Sequence, residues 1–210
     1  DRDYWTRLID LAETYDFKIF ADECYSEIYR DTPPTGAMEM VQALGTDRNR
    51  VAIFHSLSKR SNLPGLRSGF VASGPDTIRE IKQLRNYAGA PLPLPLQQAA
   101  AAVWSDEVHV EENRKLYQEK YELADRILGN VPGYMRPDAG FFLWLPVEDD
   151  EKAAVKLWRE TGVKVLPGGY LAQSVNGENP GKTYIRVALV APKEETARGL
   201  ELIRDCLYSA

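Results

Sequence analysis

Cysteine is scarce in this sequence: Cys24 and Cys206 are the only two in 210 residues. They stand far apart and in no metal-ligand spacing, which argues against a disulfide framework and fits a reducing, cytoplasmic setting. Histidine is as sparse, with His55 and His109 alone, and neither has a ligand set beside it. A metal centre is therefore not expected; His109-x-Glu111 reads as a helix surface and His55 as a packing residue. No apolar run approaches the roughly 20 residues of a membrane-spanning helix. The opening Asp1-Arg2-Asp3-Tyr4-Trp5 has neither the basic start nor the apolar run of a secretory leader. Basic stripes are also missing: the net charge is −5 with both signs interspersed, so neither nucleic acid nor a membrane surface is an expected partner. There is no G-x-S-x-G elbow to suggest a serine hydrolase. The tract Asn176-Gly177-Glu178-Asn179-Pro180-Gly181-Lys182-Thr183 imitates a phosphate loop but lacks its first glycine, contains a proline and precedes a strand pattern.

What is present is a globular balance, 44% hydrophobic and 27% charged, enough for a sizeable core in one large or two small domains. The chain starts on a helical pattern and on an aspartate, and is expected to be a piece of a longer protein. Apolar spacing predicts helices over residues 3–16, 37–44, 75–85, 106–128, 149–161 and 192–208. Short apolar runs predict strands over 17–21, 51–54, 67–73, 140–145, 163–166 and 184–190. Residues 89–96 carry three prolines at alternate positions and are expected to be extended. Helix and strand alternate first, then a smaller α+β arrangement follows. The expected fold is α/β: the later half of a large, mostly parallel domain over residues 1–118, then a small α+β domain over 119–210, with the helix at 106–128 as connector.

Ligands of parallel sheets sit at the carboxyl ends of the strands. Two polar groups of residues fall there. Asp22 ends the first strand, and the run His55-Ser56-Leu57-Ser58-Lys59-Arg60-Ser61-Asn62 follows the second. A lysine partly withdrawn from water at such a place becomes a nucleophilic amine. Arg67 offers a planar fork for phosphate oxygens and Ser56 a further donor. On chemistry alone a solvated basic loop explains these residues equally well. Asp22 would serve as a helix N-cap, and Tyr25 as a packing aromatic. Arg186, set in the apolar strand Tyr184-Ile185-Arg186-Val187-Ala188-Leu189, needs an anionic partner, either a surface acid or a ligand carboxylate.

Ser56-Leu57-Ser58-Lys59, with Arg67 eight positions later in Gly-Leu-Arg-Ser-Gly, resembles the lysine signature of class I/II aminotransferases of fold type I. Asp22-Glu23-Cys24-Tyr25 resembles that family's Asp-x-x-Tyr segment. The resemblance implies pyridoxal 5'-phosphate as cofactor and Lys59 as the Schiff-base lysine and proton carrier. It implies Asp22 on the ring nitrogen, Tyr25 on the ring 3-oxygen, Ser56 and Arg67 on the phosphate, and Arg186 on the substrate α-carboxylate. It further implies ping-pong transamination with glutamate and 2-oxoglutarate as partners, in a homodimer. The family's upstream phosphate loop and ring-stacking aromatic have no counterpart here. Three segments resemble N-succinyldiaminopimelate aminotransferases of lysine biosynthesis: Asn86-Tyr87-Ala88-Gly89-Ala90-Pro91-Leu92-Pro93-Leu94-Pro95-Leu96-Gln97, Trp104-Ser105-Asp106-Glu107-Val108-His109-Val110 and Val165-Leu166-Pro167-Gly168-Gly169-Tyr170-Leu171-Ala172. Arg60, Asn62 and Gln97 are candidates for the mouth of such a pocket, with ordinary surface or supporting roles as the alternative. An aspartate- or aromatic-type aminotransferase, a β-eliminating lyase of the same fold, or a ligand-sensing domain of a regulator would share these motifs.

Overall fold

A computed structural model describes residues 1–89 and 91–209. The chain divides into two compact units, Asp1–Arg114 and Lys115–Ala210.

The first unit begins with α1 (Arg2–Thr14), where the Asp1 side chain accepts the Tyr4 N–H as an N-cap. Its apolar face carries Trp5, Leu8, Ile9 and Ala12 at helical spacing, and Ile9 and Ala12 are buried. The helix gives way to β1 (Ile19–Asp22), followed by α2 (Ala37–Leu44), which stops at Gly45 in the left-handed conformation (φ 68°). Then come β2 (Val51–Ser56), the single turn α3 (Leu57–Arg60), β3 (Gly69–Ala72), α4 (Pro75–Arg85) and α5 (Leu94–Trp104). The strands form one sheet in the order β1-β2-β3. β1 and β2 are parallel with Asp22 beside Phe54, while β3 returns antiparallel with Gly69 beside Ser56. One of the two pairings is thus parallel.

β1 alternates: Ile19 and Ala21 are buried, Phe20 and Asp22 are not. The buried pair joins Ile9, Ala12, Ala37, Met40, Val41 and Val51 in one core under α1 and α2. Phe20, 66% exposed, and Asp22 therefore lie on the other face of the sheet.

Residues 94–96 are helical rather than extended, which corrects the reading of 89–96 as one extended stretch; Ala90 lies outside the described residues. Pro93 is the N-cap of α5 and Pro95 falls in its first turn, where backbone N–H groups have no intrahelical partner, so neither proline opposes the helix. The helix α6 (Val108–Leu128) runs across the division between the units.

In the second unit β4 (Phe142–Pro146), α7 (Asp150–Thr161), β5 (Leu166–Pro167), β6 (Tyr184–Ala188) and α8 (Lys193–Leu207) build an antiparallel sheet, ordered β4-β6-β5, with two mutually packed helices. β5 is only two residues long, shorter than the run 163–166 suggested, because Gly168–Leu171 turns at once into a 3-10 helix. The glycine-rich loop that follows is pinned. The Gly169 N–H donates to the buried Asp150 carboxylate at 2.7 Å, and the Asn179 amide donates to Gly169 O at 3.0 Å. Gly168 and Gly181 meet backbone to backbone: a Cβ on Gly181 would lie 2.2 Å from Gly168 O.

Gly181→Ala is therefore expected to destabilise the second unit by about 1–3 kcal/mol, as overpacking does. Gly199→Ala, in α8 with open space around it, is expected to stabilise by roughly 0.5–1 kcal/mol through helix propensity. Urea unfolding of the two variants measures both signs.

Candidate active site

The parallel pairing of β1 and β2 brings the two polar strand ends side by side. Glu23 extends the ladder by donating its N–H to Phe54 O at 2.9 Å. Asp22 Oδ1 accepts the Cys24 N–H at 3.1 Å, closing a tight turn. No helix follows until α2 at Ala37, so Asp22 is not a helix N-cap. Two more turns, Ser26 N–H to Glu23 O and Ile28 N–H to Tyr25 O, carry the half-buried Tyr25 back over the sheet end.

On the neighbouring strand Ser56 is both the last residue of β2 and the N-cap of α3; its hydroxyl oxygen accepts the Ser58 N–H at 3.1 Å and stands 2.9 Å from Ser58 Oγ. Lys59 is half-buried on that single turn, with Nζ 5.8 Å from the centroid of the Tyr25 ring. Cys24 reports on the rest of the geometry. Its thiol is pushed up to about 12, first by burial, then by the hydrogen bond and charge of Asp22, while the charge of Lys59 pulls the other way. An acid, an amine and a phenol thus share one neighbourhood at the end of two strands.

Arg67 is held at the same edge. Ser68 O accepts the Leu57 N–H at 3.1 Å and lies 3.3 Å from Ser56 Oγ, which closes the loop between α3 and β3. Arg67 itself adopts φ 54°, is exposed, and donates from Nη1 to Pro64 O at 2.7 Å. Among the described residues no acid pairs with it. In the second unit Arg186 sits on β6 between Trp144 and Leu166 in register, its guanidinium 4.2 Å over the Phe142 ring. It too has no carboxylate partner among the described residues.

These groups fit a phosphorylated pyridine aldehyde by chemistry. The amine suits the aldehyde, the carboxylate a ring nitrogen and the phenol a ring oxygen, while a hydroxyl and an exposed guanidinium suit a phosphate. A cavity of about 220 Å³ opens beside them, lined by Cys24, His55, Ser56, Phe70, Trp104 and Glu107 among others.

Several neighbours were not legible as partners in the sequence. Glu23 Oε1 accepts the Ala37 N–H at 2.7 Å, capping α2 where Gly36 has no side chain to do so, and its Oε2 is 3.3 Å from His55 Nε2. His55 stacks on Phe70 at 5.0 Å. Arg60 is buried against Glu107 and Trp104, and Asn62 donates to Asn113 at 2.7 Å. Both residues are tied to α6 and its leading turn, and Arg60 also lines the cavity beside Ser56. The Gln97 amide donates to Leu92 O at 2.6 Å, bracing the proline segment.

Residues 1–203 match the family model described as aminotransferase class I and II. A 4-dedimethylamino-4-oxo-anhydrotetracycline transaminase of Streptomyces rimosus is 32% identical over 84% of this chain and 47% of its own length. An LL-diaminopimelate aminotransferase of Desulforudis audaxviator is 28% identical over 98% of this chain and 52% of its own. Among solved structures, an aminotransferase from Neisseria meningitidis aligns with a TM-score of 0.92 and 44% identity, over 97% of this chain and 52% of that one. A probable N-succinyldiaminopimelate aminotransferase from Thermus thermophilus aligns with a TM-score of 0.83 and 26% identity, over 99% of this chain and 54% of that one. The chain spans about half the length of the curated relatives it matches.

The shared neighbourhood of Asp22, Cys24 and Lys59 has a direct chemical readout in the cofactor-free protein. Iodoacetamide is expected to alkylate Cys24 faster in Asp22→Asn, which removes two causes of the raised thiol, and more slowly in Lys59→Ala, which removes the opposing charge. Equal rates in all three proteins, followed by peptide mass spectrometry, would separate the groups.

Proposed function

Because the chain belongs to the class I and II aminotransferases, we propose that the protein is a pyridoxal-phosphate-dependent transaminase that moves an amino group between an amino acid and a 2-oxo acid. The observation that carries this reading is the convergence of the Lys59 amine, the Asp22 carboxylate and the Tyr25 ring at the paired ends of β1 and β2. Members of the family use pyridoxal phosphate, which when bound supplies an electron-withdrawing ring that stabilises charge at the substrate α-carbon.

Each residue then has a task its chemistry suits. Lys59 would hold the aldehyde carbon through its amine, and the same amine, when free, would take the proton from the substrate α-carbon. The Asp22 carboxylate would face the ring nitrogen and hold its proton. The Tyr25 phenol donates to the ring oxygen, and Ser56 and Arg67 bind the phosphate. Arg186 receives the substrate α-carboxylate through both arms of its guanidinium, which the Phe142 ring supports on one side without satisfying its N–H groups.

The amino donor of the proposal is N-succinyl-LL-2,6-diaminopimelate, with glutamate and 2-oxoglutarate as the other pair, which places the reaction in lysine biosynthesis. What supports this is the similarity of three segments to that subgroup and the likeness to the Thermus thermophilus structure. A cytoplasmic homodimer completes the reading; among the described residues no helix is long and apolar enough to cross a membrane.

The test uses the full-length protein. Added pyridoxal phosphate is expected to give the absorbance band of the lysine-bound aldehyde, and Lys59→Ala to abolish it. A wild-type protein without that band would overturn the reading. Arg186→Ala is expected to raise KM for the amino acid about 10- to 100-fold, the value of a charged hydrogen-bonded pair. In a donor panel with 2-oxoglutarate, turnover of short amino acids alone would defeat the succinylated substrate and leave the transaminase standing.

A further inference from the structure

The three residues that follow Lys59 are each tied by their side chains to the first turns of α6 or to the residue just before it. Arg60 Nη2 pairs with Glu107 Oε1. Ser61 Oγ lies 2.8 Å from His109 Nε2, and His109 Nδ1 lies 2.7 Å from Asp106 Oδ2. Asn62 Nδ2 donates to Asn113 Oδ1 at 2.7 Å. One residue further on, Arg114 pairs with Glu27 at 2.6 Å and donates to its backbone oxygen at 3.0 Å, reaching the turns that follow Asp22 and Tyr25. Arg60, Ser61 and Asn113 are buried, so one partner of each of the three contacts made by residues 60–62 is withdrawn from water.

The order Asp106, His109, Ser61 repeats the contacts of a hydrolytic triad, but the place is wrong for one. Ser61 is the C-cap of α3, where the backbone presents carbonyl oxygens and not the N–H donors an oxyanion needs. The arrangement suits a different task. α3 is a single turn, too short to hold its own shape. Its front is fixed by the Ser56 cap and its rear by the contacts of residues 60–62. With about 100° of rotation per residue, those rear contacts determine where the side chain of residue 59 points.

We propose that the contacts Arg60–Glu107, Ser61–His109 and Asn62–Asn113 form a clamp that aims the Lys59 amine, making His109 and Asn113 positioning residues for that lysine. The inference deepens the transaminase reading and rests on it for the role of Lys59. Asp106 serves the clamp indirectly. Its other oxygen accepts the Val108 N–H at 3.0 Å, and its hydrogen bonds to His109 and Val108 hold its carboxyl below the usual range, so the imidazole is oriented by a permanent anion.

The experiment compares full-length wild type with His109→Ala, Asn113→Ala and, as control, Arg79→Ala, which breaks an exposed ion pair to Asp76 on α4. The first readout is amide hydrogen exchange of residues 57–63 in the cofactor-free protein, expected about fivefold or more faster in the two clamp variants and unchanged in the control, as loss of a buried hydrogen bond dictates. The second is the pH midpoint of the pyridoxal phosphate absorbance band, expected to shift in the clamp variants only. His109→Gln, whose amide still reaches Ser61, is expected to restore wild-type exchange. Asn113→Ser, whose shorter side chain loses the contact to Asn62, and His109→Leu stand in should the alanine variants not fold. Wild-type exchange and an unmoved midpoint in the clamp variants would overturn the proposal. A wild-type protein lacking the band would instead defeat the transaminase reading, and exchange would then decide by itself whether the contacts hold the turn.

Discussion

Asp22 lies beside Phe54 in the parallel ladder of β1 and β2, and nearly every feature of the site follows from that register. Parallel strands finish at the same edge of a sheet. The acid that ends one strand and the lysine turn that ends the other are therefore delivered together without any long loop to order. The face is fixed as well. Ile19 and Ala21 are drawn under α1 and α2 by the apolar core, so Asp22 cannot join them. Slipping one strand by a single residue would exchange the two faces and bury the carboxylate in that core. The hydrophobic effect thus aims a polar group simply by claiming the residues on either side of it.

A strand end delivers a backbone, not a side chain, and the second layer of structure supplies what the register leaves open. Ser56 caps α3 from the front while Glu23 caps α2 and touches His55. Behind the lysine, the start of α6 gathers Arg60, Ser61, Asn62 and Glu27 onto four of its own neighbouring side chains. Each such contact contributes only about 1 kcal/mol when exposed to water and more when shielded. Their value lies in number and in direction: four contacts spread over one short stretch of chain remove rotations that no single contact would.

Elements with a clear period were legible in the sequence. The helices at 37–44 and 75–85 have the bounds that apolar spacing predicts. Asp22, Tyr25, Ser56, Lys59 and Arg67 were singled out in the sequence because strand ends collect polar residues and because their spacing repeats a familiar motif. The failures were of two kinds. At residues 94–96 proline was read as a helix breaker, although in a first turn it costs nothing. At Arg60, Asn62 and His109 the partner lies some 50 residues away in the chain, and single-residue periodicity carries no information about such pairs. Glu107 and Asn113 fall in a charged stretch at the start of α6, where a solvated surface is the ordinary explanation.

The loop between Lys59 and β3 contains two of the four non-glycine residues with positive φ among the described residues, Asn62 at 50° and Arg67 at 54°. Glycine would take up either conformation with less resistance. Keeping a side chain there costs about 1 kcal/mol or more at each position, more for Arg67 than for asparagine. The native backbone is therefore under tension at both ends of the segment that follows the lysine. Relaxing that tension with glycine would make the loop easier to fold and, by the same stroke, erase the amide that grips Asn113 and the guanidinium that faces outward beside Ser68. A screen that selects only for stability would drift toward glycine at 62 and 67, and the variants it enriched would be sturdier proteins with a looser grip on their chemistry.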